Sequence, residues 1–175
     1  MVYGRLACLL LSAITAALPS TIASAQSASP VPVSLRLLAG HNAERARYGI
    51  TPLIWDPALA IASENYAASM ASTGNWGHSP KATRVGQGEN LWMGTRSAFP
   101  VDAMIGAWLS ERSMFRAGVF PAVTTTGNWA DVGHYTQIIS RRSTHVGCAI
   151  RANRSDEYLV CRYSPSGNLM GASYP

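Results

Sequence analysis

Charge is scarce in this chain and never gathers. Asp, Glu, Lys and Arg make up 13% of the 175 residues, and no run of Lys or Arg occurs. Without a basic stretch a chain has little to offer a phosphate backbone, which argues against nucleic-acid binding. Cysteine is also sparse, with only Cys8, Cys148 and Cys161. No HExxH segment is present and no two histidines stand at helical ligand spacing, so local sequence contains no metal motif. There is no internal repeat, and the length suits a single domain.

One apolar run stands out, at the N-terminus. Leu6 to Leu18 follow Arg5 almost unbroken, and Ala23-Ser24-Ala25 offers the small-x-small pattern of a signal peptidase site. The run is short for a membrane span and no stop-transfer charges follow it. Residues 1–25 therefore read as a signal peptide cut before Gln26, in preference to a retained anchor. A lipoprotein reading through Cys8 fails because the apolar stretch follows that cysteine. The expected mature chain is secreted or periplasmic and carries no transmembrane anchor. Cleavage removes Arg5 and no acid, lowering the net charge from +5 to +4, a surplus that points only weakly to anionic cell walls or membranes. It also removes Cys8. The remaining Cys148 and Cys161 are either a disulfide, contributing about 3 kcal/mol in the entropic model, or two buried thiols on adjacent strands.

Residues 26–33, rich in Ser, Ala and Pro, read as a flexible leader, and residues 34–175 as the folded domain. Leu35, Leu38, Asn42 and Arg45 follow helical spacing, ended by Tyr48-Gly49. Asp56 is a good N-cap for a second helix, with Pro57 at its first position and Gly74 at its end. Pro100 opens a third. Gly86 to Gly94, Thr136 to Ser140, Val146 to Ile150 and Glu157 to Tyr163 read as short strands. Helices first and strands mostly last predict an α+β domain with helices packed on a small, mainly antiparallel sheet.

Four residues draw chemical interest. Glu111 falls on the stripe of the third helix that carries Met104, Trp108 and Phe115. A carboxylate there is either partly buried, with its charged form needing hydrogen bonds or cations, or solvated on a rotated helix. His78 follows the second helix in Trp76-Gly77-His78-Ser79-Pro80, Glu89 lies in Gly86-Gln87-Gly88-Glu89-Asn90-Leu91, and His134 lies in Gly133-His134-Tyr135-Thr136-Gln137. Singly, each is more often structural or merely exposed. Only a tertiary fold brings them together.

Six blocks in order carry a resemblance. The first block joins His41-Asn42-Ala43-Glu44-Arg45 to Leu53-Ile54-Trp55, and the next three are His78-Ser79, Gly88-Glu89-Asn90-Leu91 and Trp108-x-x-Glu111-x-x-x-Phe115. Gly133-His134-Tyr135-Thr136-Gln137-Ile138 and Val160-Cys161-Arg162-Tyr163-Ser164-Pro165-Ser166-Gly167-Asn168 complete the series. From about residue 35 onward the chain resembles the CAP superfamily (cysteine-rich secretory proteins, antigen 5 and pathogenesis-related 1; the SCP domain), in a bacterial single-domain form.

The resemblance implies a three-layer α-β-α sandwich with a polar cleft of His78, Glu89, Glu111 and His134. In some members the two histidines bind zinc or another divalent cation, so His78 and His134 are the expected metal ligands, with no cofactor obligatory. It also implies that Cys148 pairs with Cys161, that His41 serves packing, and that His145 is a surface residue in a turn. The family usually has Trp where this chain has Ser140. The function it implies is a binding module for a lipid, a sterol-like molecule or a cell-wall or cell-surface component. The alternative is a metal-dependent hydrolase of peptides or esters, with Glu89 or Glu111 as general base. Trp76, Trp92, Met93 and Trp129 are candidates for either core or cleft wall.

Overall fold

A computed structural model describes Met1 and residues 31–175; the expected signal peptide and most of the expected leader lie outside the described residues. Helix α1 spans Val33–Ala46, so Val33, the last residue of the expected leader, is already helical. The two-residue strand β1, Ile54–Trp55, leads into α2, Pro57–Thr73. The start of α2 follows its sequence signals closely. Asp56 Oδ1 accepts hydrogen bonds from Ala58 N at 2.7 Å and Leu59 N at 3.2 Å, which satisfies donors the first turn otherwise leaves unpaired. At the other end Gly74 turns left-handed, with φ 72°, a conformation that costs glycine little.

The remaining elements are β2 (Gly88–Thr95), α3 (Val101–Ser110), β3 (Gly118–Val119), α4 (Gly133–Ile138), β4 (His145–Ala152), β5 (Asp156–Ser164) and β6 (Ser173–Tyr174). One sheet has the strand order β1-β4-β5-β2, and β3 pairs with β6 in a separate two-stranded ribbon. Among the described residues only the β1–β4 pairing is parallel.

Alternation along the strands explains the layers. Tyr158 and Val160 of β5 and Leu91 of β2 pack with Ala67 and Met70 of α2. Leu159, Cys161 and Tyr163 of β5, with Val146 and Cys148 of β4, join Leu37, Met104, Ile105, Trp108 and Ile138 from α1, α3 and α4. Successive side chains point to opposite faces of a sheet, so α2 covers one face and α1, α3 and α4 the other. This is an α-β-α sandwich. Close approach is part of the design: a Cβ on Gly147 of β4 would stand 2.2 Å from Ala60 N of α2. Cys148 and Cys161 sit opposite each other in the β4–β5 register and form a disulfide.

Three expectations need correction. Residues 136–140 are not a strand: Thr136, Gln137 and Ile138 lie in α4. Thr136 Oγ1 returns a hydrogen bond to Val132 O at 2.9 Å, and every residue from Tyr135 to Ser140 is buried, so packing overrides β-branched propensity. The third helix stops at Ser110 and tightens into a 3₁₀ turn over Glu111–Met114, which takes Glu111 and Phe115 off its regular stripe. His145 is the first residue of β4, paired with Ile54 and Ser164 rather than set in a turn.

The end of α4 is held by an unusual anchor. Arg45 is buried and donates to the carbonyls of Thr51 (2.9 Å), Ile138 (2.8 Å), Ser140 (2.8 Å) and Ser143 (3.0 Å). Burial lowers its pKa to about 10, which leaves it protonated at neutral pH. Ser140, the position where the family usually has Trp, packs against Gly167, where an added Cβ would come within 2.8 Å of the serine Cβ.

Candidate functional site

Strand β2 is an edge of the sheet, and consecutive residues on it reach into both flanking layers. Glu89 faces the α2 side. Its carboxylate is fully shielded from solvent and engaged at both oxygens. Oε1 accepts from His78 Nδ1 at 2.8 Å and Ser79 N at 3.0 Å, and Oε2 accepts from Ser79 Oγ at 2.8 Å. Arg162 lies directly opposite in the β5 register, with Nε 2.8 Å from Oε2 in a close ion contact. Its other nitrogens donate to Gln87 Oε1 and Ser79 Oγ, and Arg84 Nε stands 3.8 Å from the carboxylate. Burial by itself pushes the Glu89 pKa up; hydrogen bonds from His78 and Ser79 and the Arg162 charge outweigh it and hold the carboxyl below its ordinary value.

Asn90, the next residue, faces the other layer. Its Nδ2 donates to the main-chain oxygen of His134 at 3.0 Å and to Tyr163 Oη at 3.1 Å. Tyr163 in turn donates to Nε2 of fully buried His41 at 2.7 Å, while His41 Nδ1 donates to Leu37 O at 2.7 Å. Burial drives the His41 pKa down to about 4, so this imidazole stays neutral and packs, as the resemblance implies.

His134 opens α4. Its Nδ1 donates to Glu111 Oε1 at 2.6 Å, and Glu111 Oε2 accepts from Tyr135 N at 2.9 Å. The ring stacks on Trp108, 5.9 Å between centroids and 16° between planes. His78 and His134 thus share one arrangement, with Nδ1 committed to a carboxylate and Nε2 free of hydrogen bonds to any described residue. Both line an open cleft of about 860 Å³.

The four sequence-marked residues divide. His78, Glu89 and His134 line the cleft, whereas Glu111 sits behind His134 and does not. Of the apolar candidates, Trp129 lines the cleft; Trp92 packs edge-on against Phe99 and Trp76 lies near Tyr158. Ser79, Asn90 and Arg162 support the site from within the family-like blocks without having been assigned a role there, and Lys81 and Arg84 join it with no sequence signal. Arg162 between apolar neighbours of a strand was the one local hint.

The description "CAP: Cysteine-rich secretory protein family" fits a family model matching residues 38–163 of this chain. The chain is a member of the CAP family. Pathogenesis-related protein 1C of Nicotiana tabacum is 34% identical to this CAP protein over 138 residues, which is 78% of this chain and 77% of the relative. Pathogenesis-related leaf protein 4 of Solanum lycopersicum is 37% identical over 135 residues, 77% and 78% of the two chains. The secreted protein RBT4 of Candida albicans is 32% identical over 139 residues, 78% of this chain but 36% of RBT4. These relatives are plant and fungal; they support the family and not a bacterial branch of it. Among solved structures, a crystal structure of NaASP2 with Zn²⁺ superposes with a TM-score of 0.66 at 24% identity, covering 80% of this chain and 83% of that one. Na-ASP-1 gives 0.69 at 24% identity over 81% and 41%. At that identity the likeness establishes the fold.

Proposed function

We propose that this CAP protein is a secreted binding module that takes its ligand in the cleft between His78 and His134. The observation that carries the reading is the paired orientation of two imidazoles from opposite layers, each steered by a carboxylate so that Nε2 remains available in one cleft. Apolar Val85, Trp129 and Leu169 line the same space, which suits a lipid, a sterol-like body or a cell-surface component. The secretory relatives favour a location outside the cytoplasm, extracellular or periplasmic. Among the described residues no helix is long and apolar enough to cross a membrane.

The donor set suits a divalent cation in part. A histidine whose Nδ1–H is held by a carboxylate presents Nε2 in the tautomer that binds metals. His78 and His134 would hold such an ion, which would supply a Lewis-acidic point for an oxygen-bearing ligand. No cluster of three or more His, Cys, Asp or Glu suited to a metal occurs among the described residues, so solvent or ligand would fill the remaining positions and affinity would be modest.

Hydrolysis finds less support. Glu89 is buried with both oxygens occupied and its pKa held low, which makes it a poor proton acceptor. Glu111 lies behind His134, Ser79 Oγ is committed to Glu89, and Cys148 and Cys161 are oxidised. To test the module, a fluorescent sterol and zinc are titrated separately into wild type, His78→Ala/His134→Ala and Ala130→Trp, which places an indole in the cleft. Saturable sterol binding lost in Ala130→Trp, and zinc binding lost in the double histidine variant, is the expected result. Sterol binding that survives the blocked cleft would move the ligand site elsewhere.

A further inference from the structure

The cleft has a charge as well as a shape. Around His78 three permanent cations meet one carboxylate. Arg162 is buried against Glu89, Arg84 approaches the same group at 3.8 Å, and Lys81 stands on the 3₁₀ turn Lys81–Thr83 with no ion pair to a described residue. Glu89 is the sole acidic residue among those lining the cleft, and its carboxylate is completely shielded. The residues that line the cleft therefore carry one positive charge in surplus, Lys81 and Arg84 against Glu89, with Arg162 standing behind them on the same carboxylate. Two of the cations, Lys81 and Arg84, line the cleft themselves. Arg84 spends Nε on Ser79 O at 3.1 Å, while its Nη2 makes no hydrogen bond to a described residue.

Among the described residues no acid lines the opposite wall: Glu111 is bound to Nδ1 behind the His134 ring, and Asp131 accepts from Thr126 Oγ1 at 2.6 Å and Asn128 Nδ2 at 3.1 Å. The residues beside His134 are neutral: Gln137 and Asn168 on the polar side, Trp129 and Leu169 on the apolar side. A concave site walled by protein focuses the field of such a surplus.

We infer that the cleft selects a ligand by an anionic head group — carboxylate, sulfate or phosphate — seated against Lys81 and Arg84, with any apolar body lying toward Trp129 and Leu169. The inference rests on the binding-module reading and narrows its ligand class: a neutral sterol or alcohol is the weaker ligand, and a cationic amphiphile is rejected. At an effective dielectric between protein and water, each unpaired cation near the head group is worth about tenfold in affinity. The preference weakens as salt screens it.

The test uses the secreted protein with chelator present, so that no adventitious metal recruits the anion. Decyl sulfate, decanol, decyltrimethylammonium and inorganic sulfate are titrated separately below their aggregation limits, followed by calorimetry and tryptophan fluorescence. The expected result is decyl sulfate bound at least about tenfold more tightly than decanol, with no binding of the cationic probe. Lys81→Gln should reduce that preference and Lys81→Arg restore it. Lys81 is exposed and its side chain makes no hydrogen bond or ion pair to a described residue, so both variants should fold. Tighter binding of decyl sulfate than of inorganic sulfate supports a head group on an apolar body, and equal binding supports anion selection with a free anion as the source. Equal affinity for decyl sulfate and decanol, both lost in Ala130→Trp, overturns charge selection and leaves the binding module standing. Failure of decyl sulfate and inorganic sulfate to bind, in protein that still binds the fluorescent sterol, overturns charge selection alone; loss of sterol binding as well overturns the binding module.

Discussion

The two histidine–carboxylate pairs make the same hydrogen bond in opposite settings. His78 is half exposed on a loop, and its partner Glu89 is a completely shielded strand residue set between two guanidinium groups. His134 is the less exposed ring, stacked on Trp108, and its partner Glu111 retains some solvent contact at a 3₁₀ turn with one main-chain donor as its other ligand. Glu89 thus balances buried charge as well as steering an imidazole, whereas Glu111 mainly steers. Chemically equivalent pairs can carry very different shares of the fold, because the cost of breaking each depends on what is left behind.

The sharpest way to break the comparison is Glu89→Gln. It strands Arg162 in the sheet without a counter-charge, and the expected loss is about 3–5 kcal/mol of unfolding free energy, read by urea denaturation. Adding Arg162→Met should recover much of that loss, since the unpaired charge goes with it; a strictly additive double variant would show that the ion contact contributes no coupling.

A second effect separates the buried histidine from the cleft. The His41 pKa of about 4 lies below its unfolded value, near 6.5. As pH falls through that window the unfolded chain takes up the proton first, so stability present in full above about pH 6.5 declines until about pH 4. The depressed Glu89 pKa acts lower down: its contribution is present above its unfolded pKa, about 4.3, and is lost as pH falls through the folded value. His41→Gln should flatten the upper limb and Glu89→Gln the lower one in stability measured against pH. An unchanged upper limb in His41→Gln would assign it to another group.

Glu111→Gln should be milder, about 1–2 kcal/mol, because the amide oxygen still accepts from Tyr135 N and water reaches the site. Its signature is a changed tautomer balance at His134 in ¹⁵N spectra. A loss matching Glu89→Gln would erase the distinction between the pairs. Smallest of all is His78→Ala, within about 0.5 kcal/mol, since the ring is half exposed and Glu89 keeps its Ser79 and arginine partners; its effect should fall on zinc binding instead.

Local chemistry made much of this molecule readable. Asp56, Pro57 and Gly74 bracket α2, and β-branched and aromatic residues broken by polar turns mark β4 and β5, because caps, turns and residue propensity act over a few residues. Thr136 to Ser140 read locally as a strand because β-branched residues carry a strand preference, which Arg45, anchored 93 residues away at Ile138 O, and complete burial override. The blocks around His78, Glu89, Glu111 and His134 marked the residues through family resemblance. Nothing in their spacing told that Glu111 would stand behind the cleft, while Lys81 and Arg84 would line it.

The sequence by itself determined the family, the principal helices and most of the strands of the main sheet, all consequences of short-range propensity and of motifs in order. Tertiary structure decided which residues share a space. It set Arg162 opposite Glu89 across a strand pair, placed Thr136 to Ile138 on a helix rather than a strand, and brought Lys81 and Arg84 to an open cleft. Electrostatics and burial depend on distance through space, and chain position gives distance only after the sheet register and helix packing are in place.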